Sequence, residues 1–295
     1  MKKGKTTGST ELKWRKGERP TEEPRRCVVS IAGFDDTGGA GLLADIKTFS
    51  LFQLYGFGVM TAETVQTPDA VLELSRANAR RMRRSLETIL KFGDIAGVKS
   101  GLICDEVTID VLNSSIKLHY DGLFVIDPVQ FSSGGRQILS AQGRQAMVKK
   151  LFPLADIITP NLDEAEHITE MQIKTRDDIK TSAERLLQMG PKAVVIKCSG
   201  RFGGEDFLLS SKHESFIPAQ TELASQLSLP TVHGTGCFYS SALLSLLVLG
   251  KRIDVAAEKA KYLTERAILS SMEIDGFKSR LIDHCALRPF IEQCI

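Results

Sequence analysis

A chain of 295 residues, 42% hydrophobic and 25% charged, has ordinary globular composition and length for one large α/β domain or two small ones. The first 26 residues hold nine Lys/Arg against four Glu, a local +5, so a net charge of +2 leaves −3 for the remainder and excludes a basic nucleic-acid-binding body. No apolar stretch reaches the roughly 18 residues of a membrane span, and no apolar h-region follows the charged N-terminus, so neither a membrane protein nor a secretory leader is expected.

Residues 1–26, rich in Lys, Gly, Thr, Glu and Pro, are expected to form a disordered basic tail. No linker composition interrupts the rest of the chain, and 27–295 is expected to be a single domain. Apolar, β-branched runs predict strands at 27–32, 58–64, 95–99, 123–129, 156–160 and 193–198. Amphipathic segments between them predict helices at 40–54, 82–92, 107–118 and 144–151. Segments 205–210 and 214–218 predict an antiparallel edge, and 236–249 and 255–271 two long closing helices. Such alternation predicts a mostly parallel central sheet with helices on both faces, a three-layer α/β (αβα) architecture. Six cysteines without a C-x-x-C pair or zinc-type spacing point to a reducing, cytoplasmic setting.

Ligands of open α/β sheets sit beyond the carboxyl ends of the strands. That edge would gather four segments. The first is Gly33-Phe-Asp-Asp-Thr-Gly-Gly-Ala-Gly41, a glycine-dense loop through which backbone can approach a ligand, or an ordinary structural turn. It is neither a Walker A loop nor G-x-G-x-x-G. Asp45, one turn into the following helix, either answers the helix dipole or binds a substrate. The second segment is Asp127-Pro128. The third is Thr159-Pro160-Asn161, where Asn161 and Glu164 read as a cap with Glu at N3, as a pair orienting water around phosphate-held Mg²⁺, or as both. The fourth is His233-Gly234-Thr235-Gly236-Cys237 with the apolar run behind it. Two glycines before a buried helix leave amide N–H groups facing outward at the positive end of a dipole, an anion site. A thiol there is expected to have a depressed pKa and to act as a base. Donors for charge plus a base suit phosphoryl transfer; a glycine turn beside a buried Cys is the plain alternative.

In order along the chain, Ile31-Ala-Gly-Phe-Asp-Asp-Thr-Gly-Gly-Ala-Gly41, Ala44-Asp-Ile-Lys-Thr-Phe49, Thr61-Ala62 with Gln66, Ile126-Asp-Pro-Val129, Ile158-Thr-Pro-Asn-Leu162 with Glu164-Ala165, and His233-Gly-Thr-Gly-Cys237 are similar to one family. The chain resembles, from about residue 27 to about residue 272, the hydroxymethylpyrimidine/phosphomethylpyrimidine kinases of thiamine biosynthesis, in the ribokinase-like superfamily. The resemblance implies a ribokinase-like αβα fold without a P-loop, a homodimer, and ATP-dependent phosphorylation of 4-amino-5-hydroxymethyl-2-methylpyrimidine and its monophosphate. It implies ATP with Mg²⁺, a small-molecule pyrimidine, and no nucleic-acid or membrane partner. Gly33, Asp45 and Gln66 would line the pyrimidine pocket. Asn161 and Glu164 would govern phosphates and Mg²⁺, Glu164 through water, with Lys197 near the nucleotide. Gly234, Thr235 and Gly236 would form the anion hole, and Cys237 would be the base.

The chain departs from the family pattern in three places. The loop after Asp-Pro-Val reads Gln130-Phe-Ser-Ser-Gly-Gly-Arg136 in place of Lys or Thr followed by Ser-Gly-Asp. Lys197-Cys-Ser-Gly200 replaces Lys-Gly-Gly-His, and Asp36 replaces a Pro. These departures leave two rival readings. One is a pyridoxal-type vitamin kinase of the same branch, whose members tend to carry a Cys in a loop that has none here. The other is a non-catalytic pyrimidine or nucleotide sensor, opposed by the presence of Cys237, Asn161 and Glu164.

Overall fold

Strands form where the sequence is apolar and β-branched. The computed structural model describes residues 25–91, 94–131, 135, 137–198, 201–219 and 231–295. In chain order the main elements are β1 (Cys27–Asp35), α1 (Gly41–Leu51), β2 (Tyr55–Gln66), β3 (Val71–Arg76), α2 (Ala79–Lys91), β4 (Ile95–Ser100), α3 (Glu106–His119), β5 (Leu123–Ile126), α4 (Ala141–Lys150) and β6 (Ile157–Ile158). Next come α5 (Leu162–Thr169), α6 (Arg176–Gln188), β7 (Ala193–Ile196), β8 (Asp206–Ser210) and β9 (Glu214–Ile217). The last are β10 (Val232–His233), α7 (Thr235–Val248), α8 (Ile253–Leu269), β11 (Arg280–Leu281) and α9 (Arg288–Glu292). Residues 1–24 of the expected tail lie outside the described residues; the Arg26 guanidinium donates to the Val248 carbonyl.

The sheet order is β3-β2-β1-β4-β5-β6-β7-β8-β9. From β2 to β7 every pairing is parallel, while β3, β8 and β9 run antiparallel at the edges. Both faces are covered, which is why the central strands are apolar on successive residues rather than alternately. Val29 and Ile31 pack with Met82, Leu86, Ile109, Leu112, Leu162 and Ile179 under α2 to α6. Val28 packs with Phe49, Phe238, Leu244 and Leu263 under α1, α7 and α8. The chain moves outward from β1 in one direction through β2 and in the other through β4, so the order reverses beside β1, where ligands of such sheets collect.

The strands expected at 123–129 and 156–160 are shorter, because Asp127-Pro128 and Thr159-Pro160 leave the ladder to line the edge. β3 is not among the expected strands: its Val-Leu-Glu-Leu-Ser-Arg sequence has no buried face and pairs only because β2 offers a free side. Helix α6 is a further addition, although Thr175 and Asp178 form a capping box at its start.

Candidate active site

At the carboxyl edge a cavity of about 870 Å³ opens among the ends of β1, β2, β5 and β7 and the starts of α5 and α7. Gly33, Gln66, Asn161, Glu164 and Lys197 line it. Gly234, Thr235, Gly236 and Cys237 line it as well.

The helix start at α7 depends on backbone that only glycine accepts. Gly234 has φ 85°, and a Cβ on it would stand 1.8 Å from the Gly39 carbonyl oxygen. Gly41, φ 59°, is pressed in the same way against the Gly33 carbonyl, 2.2 Å from where its Cβ would be. No side chain caps α7, so its first amides remain for a ligand at the positive end of the dipole. The Sγ of Cys237 accepts from the Gly41 amide at 3.4 Å. Its pKa is not depressed: burial pushes the thiol up to about 11, the Lys99 ammonium opposes this, and the Asp45 and Asp127 carboxylates add to it. Amides and a dipole favour the thiolate, but loss of water outweighs them here.

Directly beneath that turn sits a charged cluster. A Cβ on Gly236 would lie 3.4 Å from Lys197 Nζ and 3.7 Å from Asp127 Oδ2. Lys197 Nζ donates to Asp127 Oδ1 at 2.8 Å; Thr159 Oγ1 donates to the same oxygen at 3.1 Å and Ser240 Oγ to Oδ2 at 3.3 Å. Burial disfavours the Lys197 charge, but Asp127 and Glu164 more than compensate and raise its pKa. Burial also raises the Glu164 carboxyl, to about 7, against the pull of Lys197. Asn161 and Glu164 form a full capping box on α5, each side chain meeting the other's backbone amide at 2.8 Å. Asn161 is thus a helix cap, and Glu164 keeps Oε1 outside that exchange. In the sequence Asp127 stands out only as part of Asp127-Pro128; its place at a strand's carboxyl end is the available clue.

Among the described residues no group of three or more His, Cys, Asp or Glu side chains forms a self-sufficient metal site. Glu164 Oε1, outside the capping exchange and on the cavity lining, fits Mg²⁺ held mainly by phosphates and water, as that ion prefers.

Asp45 does not reach the cavity. It is fully buried on the inner face of α1, 2.5 Å from Lys99 Nζ, and accepts from Ser30 Oγ at 2.5 Å and Ser241 Oγ at 2.8 Å. Burial disfavours the Lys99 ammonium, but Asp45, then Cys237 and Asp127, hold its pKa above the ordinary value. Asp45 is thus half of an interior ion pair and is not among the residues that line the cavity. Asp35 and His233, to which the sequence assigns no role, both line the cavity and lie 2.9 Å apart. In the divergent loop, Gln130 is buried and its amide donates to the Glu164 carbonyl at 3.5 Å, and Phe131 meets His167 edge to face. The rest of that loop's departures, at 132–134 and 136, and those at 199–200 lie outside the described residues.

The model of the phosphomethylpyrimidine kinase family matches residues 35–280. The chain belongs to that family. It is a phosphotransferase with the ribokinase-like αβα fold. The hydroxymethylpyrimidine/phosphomethylpyrimidine kinase of Aquifex aeolicus is 35% identical over 250 residues, 84% of this chain and 96% of that one. The crystal structure of a phosphomethylpyrimidine kinase from Clostridium difficile superposes with TM-score 0.72 at 33% identity, covering 83% of this chain and all of its own. The ADP complex of Bacillus subtilis pyridoxal kinase superposes with TM-score 0.80 at 28% identity, covering 90% of this chain and all of its own. Among the described residues no helix of this family member is long and apolar enough to cross a membrane.

Proposed function

We propose that this kinase transfers the γ-phosphoryl group of ATP to the hydroxymethyl oxygen of 4-amino-5-hydroxymethyl-2-methylpyrimidine, and a second phosphoryl group to the resulting monophosphate. The observation that carries the reading is one arrangement: uncapped amides at the start of α7, Cys237 among them, and Lys197, Asp127 and Glu164 underneath. Gly33 and Gln66 would hold the pyrimidine, the Gln amide donating and accepting along its edge. The hydroxyl oxygen bonds to the γ-phosphorus as the bond to the β,γ-bridging oxygen breaks, and its proton passes to Cys237 as thiolate or through one water. The amides of residues 234–237 hold the charge developing on the transferred group, and Lys197 neutralises phosphate charge. Glu164 would face a phosphate-held Mg²⁺ through water, and the charge of that ion would screen the phosphates. Six free cysteines support a reducing, cytoplasmic setting. The edge hairpin of β2 and β3, which exposes Val65 and Leu72, supports a homodimer.

The test is ADP formation by the full chain with Mg-ATP and, separately, the hydroxymethylpyrimidine, its monophosphate and pyridoxal. Turnover on both pyrimidines is expected, reduced on the order of 10²–10⁴-fold by Cys237→Ala. Pyridoxal is included because a pyridoxal kinase gives a higher TM-score than the Clostridium difficile phosphomethylpyrimidine kinase. Turnover on pyridoxal alone would reassign the substrate, and ligand binding without any ADP would make the chain a sensor.

A further inference from the structure

The strand that feeds the phosphate cradle stands outside the main sheet. Among the described residues β10 pairs with β11 alone, Val232 against Arg280 and His233 against Leu281. Its last residue, His233, is buried and precedes Gly234 directly. The ring reaches across 198 positions of sequence to place Nε2 2.9 Å from Oδ2 of Asp35. Asp35 ends β1, the strand at which the main sheet reverses its order.

That carboxylate is saturated with donors. Oδ1 accepts the Thr37 amide at 2.8 Å and the Thr37 hydroxyl at 2.7 Å, and Oδ2 accepts the Ala40 amide at 2.7 Å beside His233. The Gln66 side chain also favours its charged form. Burial opposes the charge, yet the bonds from His233, Gln66 and Thr37 prevail and hold the Asp35 carboxyl well below the usual range. The Thr37 and Ala40 bonds are local to the glycine loop, whereas the His233 bond comes from the other end of the chain. It fastens the cradle to that loop at the place where Gly234 already presses on the Gly39 carbonyl. Backbones in such contact cannot shift independently, and a misplacement of about 1 Å among reacting groups can cost about 10²-fold in rate.

We propose that Asp35 and His233 form a positioning pair for phosphoryl transfer. Their hydrogen bond sets the amides of residues 234–237 where the γ-phosphate is received, and neither residue touches the transferred group. The inference rests on the kinase reading for its nucleotide and is independent of the acceptor. Loss of turnover on every acceptor with nucleotide binding intact would therefore count against the substrate assignment alone.

The experiment is calorimetric titration of the full chain with Mg-AMP-PCP, which carries a γ-phosphonate, and with Mg-ADP, which does not. His233→Leu is expected to weaken AMP-PCP at least tenfold and ADP less than twofold. His233→Gln, which restores a donor at the Nε2 position, should bring AMP-PCP back to within threefold of the parent. Should the leucine variant fail to fold, Asp35→Asn, which keeps the side-chain shape but removes its charge, is expected to give the same selective loss. Equal weakening of both nucleotides, no weakening, or a glutamine variant no better than the leucine one would overturn the proposal. So would a parent protein that binds AMP-PCP no more tightly than ADP.

Discussion

At the scale of single residues, Cys237 is the informative case. A base works only when deprotonated, and this thiol is held up to about 11 by burial with two carboxylates nearby. Below that value the thiolate fraction rises tenfold per pH unit. The pH dependence of kcat/KM reports the free enzyme, so with a base of this kind it is expected to climb across pH 7 to 9.5, without a plateau near neutrality. Rates of the parent and of Cys237→Ala over that range check it: the slope should be present in the first and missing from the second. A plateau by pH 8 in the parent would mean that another group takes the proton.

At the scale of elements, the Asp45–Lys99 pair joins four of them. Asp45 comes from α1, Lys99 from β4, Ser30 from β1 and Ser241 from α7, whose first turn carries the cradle. Lys99 Nζ also lies 3.5 Å from the Cys237 carbonyl. A buried pair adds little net stability, but removing one partner strands a charge and costs about 3–5 kcal/mol. That is a large share of the roughly 5–15 kcal/mol that holds a domain folded. Lys99→Met is therefore expected to lower the unfolding free energy from urea titration by that amount, and Lys99→Met with Asp45→Asn to regain most of it, because the neutral carboxamide accepts from one serine through its oxygen and donates to the other, rotated, hydroxyl through its NH2. Equal losses in the single and double variants would show that packing, not the stranded charge, sets the cost.

At the scale of the whole molecule, the two edges of the sheet differ. β9 is four residues long and begins with Glu214, which pairs with Lys180. The other edge, β3, is longer, and the β2–β3 hairpin exposes Val65 by 48% and Leu72 by 61%. Long edges with apolar side chains invite pairing, and the proposed homodimer would cover this one. Sedimentation equilibrium is expected to find a dimer, and Val65→Glu with Leu72→Glu to produce a folded monomer. A monomeric parent would sink the dimer and leave the kinase reading untouched.

What the sequence by itself determined is whatever neighbours in the chain decide. Apolar, β-branched runs separated by amphipathic ones dictated the parallel αβα sheet, because each element's buried face is written in its own few residues. The glycines at 234 and 236 before an apolar run marked the uncapped helix start that the proposed anion cradle uses, and Asn161 with Glu164 specified a helix start within a single turn. Only the tertiary structure decided what depends on distant partners. That Asp45 pairs with Lys99, 54 positions away, is visible only once the fold sets α1 against β4. Cys237 reads as acidified until burial takes its water away and the charges of Asp45 and Asp127 add to the cost of a thiolate. His233 has no visible purpose until β1 brings Asp35 to it across 198 residues. Hydrogen-bonded caps and turns are local and so legible in order along the chain, whereas burial and charge pairing are properties of the space that the finished topology encloses.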